Sequence, residues 1–267
     1  MRVPLPSAFL RLPIAHRALH DVAQGRPENS RAAIAAAIAA GYAIEIDLQL
    51  SRDGVPMVFH DETLERLTPR EGWLRDLTAA ELAEIPLKGG DECIPTLAEI
   101  LALVAGRAPL LIELKDQTLR MAETDGRLEQ ATARALASYD GPVALMSFNP
   151  HCIARMATLA PGLPRGLTTS AYDPEDWAPL TPETCDRLRP IPDYDRTFSS
   201  FISHEHTDLA RPRVAELAAQ GAAILCWTIK SPEAEAAARR IAQNITFERY
   251  PAALPAWTPA AATPPSR

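Results

Sequence analysis

The amino-acid sequence predicts an α/β chain, a (β/α)8 TIM barrel with a small insertion after the second strand region. Three observations lead there. The 267 residues, 47% of them apolar, suit one large barrel domain or two small ones and suffice for a full core. Short apolar runs alternate with longer stretches rich in Ala and Leu, the mark of parallel βαβ units. Eight such units in about 250 residues match the usual size of a barrel.

Leu12–His16 reads as the first strand and Ser30–Ala40 as the helix after it. Tyr42–Leu50 is the second strand, with Ile44, Ile46 and Leu48 alternating against Glu45, Asp47 and Gln49. Asp53-Gly54 is a turn signal, and Val55–His60 is an extra short strand beyond it. The insertion, about 63–92, is mostly polar, with a short helix at Thr78–Ile85 opened by Thr78 and Glu81 at capping-box spacing. The later strands are Pro109–Lys115, Pro142–Phe148, Leu163–Thr168, Thr197–Ser203, Ala222–Thr228 and Asn244–Glu248. The later helices are Leu97–Ala105, Leu119–Ser138, Pro150–Leu159, Asp208–Gln220 and Pro232–Ala242, all of good helix propensity. Residues 1–251 are expected to form a single domain, and 252–267 a Pro/Ala-rich extended tail without chemistry.

Charge excludes some partners. A net charge of −7 leaves no electrostatic footprint for nucleic acid or an anionic membrane. An anionic substrate then needs local positive charge, from a metal or from a few placed basic side chains. Cys93, Cys152, Cys185 and Cys226 show no zinc or disulfide spacing, so they are expected to be buried free thiols. The first twelve residues lack the apolar run of a signal peptide, and no stretch approaches a membrane span. A cytoplasmic protein without stable membrane insertion is the expectation.

Catalytic groups of such barrels sit at the C-terminal ends of strands. His16 and Arg17 close the first strand here, His60 the extra one, and Glu113 and Lys115 the third. The two-residue spacing of Glu45 and Asp47 puts both carboxylates on one face of the second strand. Paired carboxylates inside a barrel repel and are costly to desolvate, and a cation resolves both costs. Glu45, Asp47 and Glu113 offer oxygen only, which suits Mg²⁺ or Ca²⁺ better than zinc. That leaves His16 and His60 for proton transfer and Arg17 and Lys115 for phosphate oxygens. Each residue alone has a plainer role: a strand carboxylate on a solvated face, or Arg17 and Lys115 as simple counter-charges. Lone histidines such as His20, His151, His204 and His206 read as surface or satisfied core groups. The joint placement at three strand ends favours chemistry.

These pieces resemble the glycerophosphodiester phosphodiesterase family. The matching motifs are His16-Arg17, Pro27-Glu28-Asn29-Ser30, Glu45-Ile46-Asp47, Asp53-Gly54, His60-Asp61 and Leu64-Glu65-Arg66-Leu67-Thr68. The IPTLAEIL and LLIELK runs, Ser147-Phe148 and Trp227-Thr228 extend the likeness over roughly Leu12 to Pro251. The resemblance implies a barrel that hydrolyses glycerophosphodiesters, small molecules, to glycerol 3-phosphate and an alcohol. It implies one divalent cation, Mg²⁺ or Ca²⁺, on Glu45, Asp47 and Glu113, and His16 and His60 as the acid/base pair. Arg17 and Lys115 would lie near the phosphate, with Glu28 bonding Arg17 or standing near the metal. Trp227 falls near a strand end, as pocket wall or as core. Two departures stand out: Ala18 replaces the usual Gly after His-Arg, and Phe247 replaces the Asp of the usual Thr-Asp-x-Pro ending. The rivals are a lysophospholipase D or sphingomyelinase D-like phosphodiesterase, and a non-catalytic binding barrel.

Overall fold

The computed structural model describes residues 1–255. Of the expected tail, 252–255 has no regular structure and 256–267 lies outside the described residues. The strands are β1 (Ile14–Ala15), β2 (Ala43–Leu50), β3 (Pro56–Val58), β4 (Leu110–Leu114), β5 (Val143–Ser147), β6 (Arg165–Thr169), β7 (Phe201–Glu205), β8 (Ala223–Ile229) and β9 (Asn244–Phe247). Eight of them are parallel, and the barrel closes because β1 pairs with both β2 and β9. β3 is the exception: it runs back antiparallel to β2, with Leu48 opposite Val58 and Leu50 opposite Pro56.

The helices are α1 (Ala8–Arg11), α2 (Arg31–Ala40), α3 (Ala79–Leu82), α4 (Leu97–Val104), α5 (Arg127–Leu136), α6 (Pro150–Leu159), α7 (Pro182–Leu188), α8 (Pro212–Ala219) and α9 (Pro232–Ala238). Their starts follow from local chemistry. Ser30 caps α2 by accepting from Ala33 N–H, and Gly41 ends it in the left-handed conformation. Full capping boxes open α3 (Thr78, Glu81) and α4 (Thr96, Glu99).

Strand alternation sorts the core into two zones. Ile44, Ile46, Leu48, Ile112 and Leu114 face outward, into one cluster with helix residues such as Ile34, Ile100 and Ile153. Ala43, Leu111, Ala144, Phe201 and Leu225 face inward and pack with Ile14 and with Phe9 of α1. Fully buried, Phe9 seals the N-terminal end of the barrel, a burial that contributes about 2–3 kcal/mol. A Cβ at Gly166 would come within 2.4 Å of the Phe201 ring, so only glycine lets that ring cross the floor. Going up the inner faces, the apolar floor gives way to Glu45 and Asp47 on β2 and Glu113 on β4. The 63–92 segment builds its own cluster, in which Leu64, Leu74, Leu82, Ile85 and Leu87 pack on Met57 and Phe59.

Several expectations need correction. The helix expected over Leu119–Ser138 begins only at Arg127. Leu119 and Met121 have φ of 60° and 54°, and the Asp116 carboxylate accepts from the N–H groups of Thr118, Arg120 and Met121. That side chain offers the backbone an alternative to helix. The strand expected over Thr197–Ser203 starts at Phe201, because Phe198 has φ 52° and Thr197 bonds back to Asp193 O. The fifth predicted strand, Leu163–Thr168, begins at Arg165, and helices α1 and α7 were not expected at all. The four cysteines are free, but Cys93 is only partly buried. Among the described residues no helix is long and apolar enough to cross a membrane.

Candidate active site

β2 and β4 set the acidic cluster. Asp47 and Glu113 stand in register on neighbouring strands, and Glu45 is two residues below Asp47 on the same face. All three are buried, and one oxygen from each lies within 4.8 Å of the others. Two cations reach in. Lys115 Nζ is 2.8 Å from Glu113 Oε1 and 3.4 Å from Asp47 Oδ1, while Arg17 Nε is 3.7 Å from Asp47 Oδ2. Asn29 Nδ2 donates to Asp47 Oδ2 at 3.0 Å. Burial alone would raise Asp47, but His60, Lys115, Arg17 and Asn29 together hold it well below the usual carboxylate range. Glu45 fares differently. Among the described residues its carboxylate accepts one hydrogen bond, from the Arg17 backbone N–H at 2.8 Å, and burial together with the charges of Asp47 and Glu113 pushes it well up. Glu113 also rises through burial, even with Lys115 beside it. Three ionised carboxylates would outnumber the two cations in a desolvated site, an excess that a proton or a further cation must relieve. An all-oxygen donor set of that kind fits a hard divalent cation.

Arg17 and Ala18 make the turn that carries this arrangement. Their φ angles are 51° and 64°, both left-handed, and Ala18 N–H donates to Glu45 O at 2.9 Å. Ala18 therefore adopts the backbone that a glycine takes without strain, at a cost of about 1–2 kcal/mol.

The two histidines flank the acids. His16 Nδ1 lies 2.8 Å from Glu248 Oε2, and His60 Nδ1 lies 2.6 Å from Asp61 Oδ1. A carboxylate can only accept, so both Nδ1 atoms carry the proton and both Nε2 atoms are left for the pocket. Burial lowers His16 despite Glu248, and burial with the charge of Lys115 lowers His60 to about 4. Asp61 is gripped by Arg66, which bonds both its oxygens and both oxygens of Glu28. Glu28 in turn bonds Arg17 Nη1 at 2.8 Å. The chain Arg17–Glu28–Arg66–Asp61–His60 ties the first βα loop to the 63–92 segment.

His16, Arg17, Glu45, Asp47, His60, Glu113, Lys115 and Trp227 all line one open pocket of ≈ 90 Å³ at the C-terminal barrel end. Of the expected site residues, only Glu28 stands off its wall, behind Arg17. Trp227 is held by its own N–H, which donates to Ser203 O at 3.0 Å, with Phe148 edge-on at 5.4 Å. Glu248 and Asp61 had no role assigned from the sequence. Asp61 had a signal, the His60-Asp61 doublet. Glu248 had none beyond its position after Phe247. Its carboxylate reaches His16 from the end of β9. His20 Nε2, 3.5 Å from the same oxygen, joins them. That trio also groups three possible metal donors, but Lys230 and Arg249 at 3.2 and 3.3 Å from Glu248 oppose a second cation there.

Comparison with known proteins identifies the family and the fold. The model of the glycerophosphoryl diester phosphodiesterase family matches residues 16–246. A glycerophosphodiester phosphodiesterase of Caldanaerobacter subterraneus is 33% identical over 174 residues, covering 62% of this chain and 70% of the relative. A phosphodiesterase of Oleispira antarctica, solved with the product sn-glycerol-3-phosphate, superposes with a TM-score of 0.72 at 25% identity, over 90% of this chain and 94% of the other. A glycerophosphodiester phosphodiesterase of Agrobacterium tumefaciens shares the fold, with a TM-score of 0.67 at 22% identity over 89% of this chain and 96% of that one.

Proposed function

The chain belongs to the glycerophosphoryl diester phosphodiesterase family and is a glycerophosphodiester phosphodiesterase; from that premise we propose that it works with one divalent cation and a pair of histidines. The observation that carries this reading is the convergence of Glu45, Asp47 and Glu113 within 4.8 Å, flanked by two imidazoles. These three carboxylates would hold the cation. When bound, Mg²⁺ or Ca²⁺ supplies charge neutralisation for a phosphate oxygen and eases deprotonation of a hydroxyl. Arg17 and Lys115 hold the remaining phosphate oxygens.

Hydrolysis joins an oxygen, from water or from the neighbouring glycerol hydroxyl, to phosphorus and breaks the P–O bond to the other alcohol. An Nε2 lone pair from His16 or His60 takes the attacking proton. The other imidazole, protonated, gives a proton to the departing oxygen. Glu248 and Asp61 keep both rings in the tautomer that this exchange requires. If attack is internal, a cyclic phosphate forms first and water opens it by the same pair in reverse. Residues 1–251 act as one catalytic domain, with 63–92 as an insertion over the site.

Turnover of a panel of diesters tests this, read as glycerol 3-phosphate from the glycerophosphodiesters and as choline from lysophosphatidylcholine, with chelator and with added Mg²⁺ or Ca²⁺. The expected result is turnover that chelator abolishes and metal restores, with glycerophosphocholine preferred to lysophosphatidylcholine. Full turnover in chelator would remove the metal from the mechanism. A preference for the lysolipid would move the substrate to a membrane lipid.

A further inference from the structure

Beside the catalytic pocket lies a second cavity of ≈ 330 Å³, walled by Trp73, Trp177, Met121 and Leu180 and edged by Glu62 and Asp116. Size separates the two. A pocket of ≈ 90 Å³ is small for a whole diester, since sites that enclose small organic ligands run to about 300–1,000 Å³. One arm of the substrate must lie outside it. The cavities adjoin at an aromatic wall: Phe148 lines the first, Trp177 the second, with ring centroids 4.9 Å apart. Chain order joins them as well. Glu62 follows His60 by two residues, and Asp116 follows Lys115 directly.

Its chemistry is selective. The charged side chains on the wall are both acidic, Glu62 and Asp116. Asp116 is fixed by Thr118 and Asn149, while Glu62 stands exposed at the mouth. Indole faces attract cations: the Arg75 guanidinium lies 4.4 Å from the Trp73 ring centroid on the neighbouring groove, where it takes one face of that ring and sets one positive charge against the two acids. Apolar walls with a negative rim favour a bulky cation that needs few hydrogen bonds. Thr63 and the two carboxylates can bond a hydroxyl, but only a cation also gains the charge attraction and the aromatic faces, and an anion is opposed.

We infer that this cavity is a leaving-group subsite, in which Trp73 and Trp177, with Glu62 and Asp116, select diesters whose departing alcohol carries an alkylammonium group. The inference rests on the hydrolase reading above and sharpens it to a substrate class. Binding the cation there leaves the phosphate over the acid cluster and the glycerol arm against Trp227.

The test compares kcat/KM for glycerophosphocholine and glycerophosphoglycerol, whose departing alcohols differ in charge. The native enzyme is expected to favour the cationic diester by about 10-fold, as a desolvated cation–aromatic contact allows. Trp177→Ala and Glu62→Gln should each lower that ratio severalfold. Trp73→Ala, on the exposed rim, serves as the second variant should loss of Trp177 impair folding. A native ratio near one, or variants that lower both substrates equally, overturns the subsite. If neither diester turns over, the hydrolase reading fails, and the subsite is then judged alone by tetramethylammonium quenching of tryptophan fluorescence. Quenching that Trp73→Ala and Trp177→Ala weaken supports it, and no saturable quenching overturns it.

Discussion

Glu248 meets His16 across the seam where the last strand of the barrel closes on the first. Their side chains bond at 2.8 Å although 232 positions separate them in sequence. The bond fixes the ring tautomer, so a change that keeps the shape and removes the charge isolates its role. Glu248→Gln should lower kcat by about 10²-fold with little change in KM, near the lower end of what losing an acid/base group costs. Steady-state kinetics on one diester decides this, and an unchanged kcat would reduce Glu248 to a structural residue.

His16→Ala and His60→Ala should each lower turnover by about 10²–10⁴-fold. The double variant should lose far less than the product of the two, because the residues act on one proton exchange. A variant that keeps near-native kcat takes its histidine out of the mechanism.

Glu45 carries the strongest sign prediction. Its carboxylate is buried with one N–H partner among the described residues, so Glu45→Gln should raise the melting temperature of chelator-treated protein. The native protein should gain about 2.7 kcal/mol when the metal reaches a hundredfold excess over its Kd, and the variant should gain much less. Thermal melts with and without Mg²⁺ or Ca²⁺ test both halves. Equal metal-induced gains would remove Glu45 from the ligand set.

Acid should destabilise the metal-free protein in two steps. His60 is held neutral down to about 4 by burial and by Lys115, whereas an unfolded histidine protonates near 6.5. Below 6.5 the unfolded chain therefore binds more protons, and stability falls until about pH 4. Glu248 works through the opposite group. His16 and His20 hold its carboxylate well below the ordinary 4.5, so its contribution is present above that value and is lost as pH falls further. Melting curves of His60→Asn should be flatter than native between pH 6.5 and 4, by a few degrees. A parallel decline in both proteins would show that His60 is not the titrating group.

The acid cluster was legible because strand periodicity is local. Two carboxylates at i and i+2 in an otherwise apolar run point one way whatever the rest of the chain does. Ser30, Thr78 and Glu81 were legible for the same reason, since caps bond within a single turn. Glu248 was not, because one acidic residue near a strand end looks the same whether it faces solvent or a histidine. Only closure of the barrel brings it to His16. The Leu119–Ser138 stretch misled in the other direction. Its composition favours helix, but Asp116 and Asn149 satisfy the backbone of 118–122 first. Arg66 was visible as part of a motif, yet its double grip on Glu28 and Asp61 depends on how the 63–92 segment folds back.

The antiparallel return of β3 acts as a ruler. His60 reaches the pocket only because the turn between β2 and β3 has its present length, with Ser51 bonding Val55 N–H and Gly54 at φ 85°. Side chains on a strand change sides at every step, so one residue gained or lost in that turn would swing the imidazole away from the acids. Most loops of a barrel can lengthen over evolutionary time without touching the chemistry. If His60 moves a proton as proposed, the count of residues in this turn is fixed by the chemistry, and an inserted residue there should cost turnover where one in another loop should not.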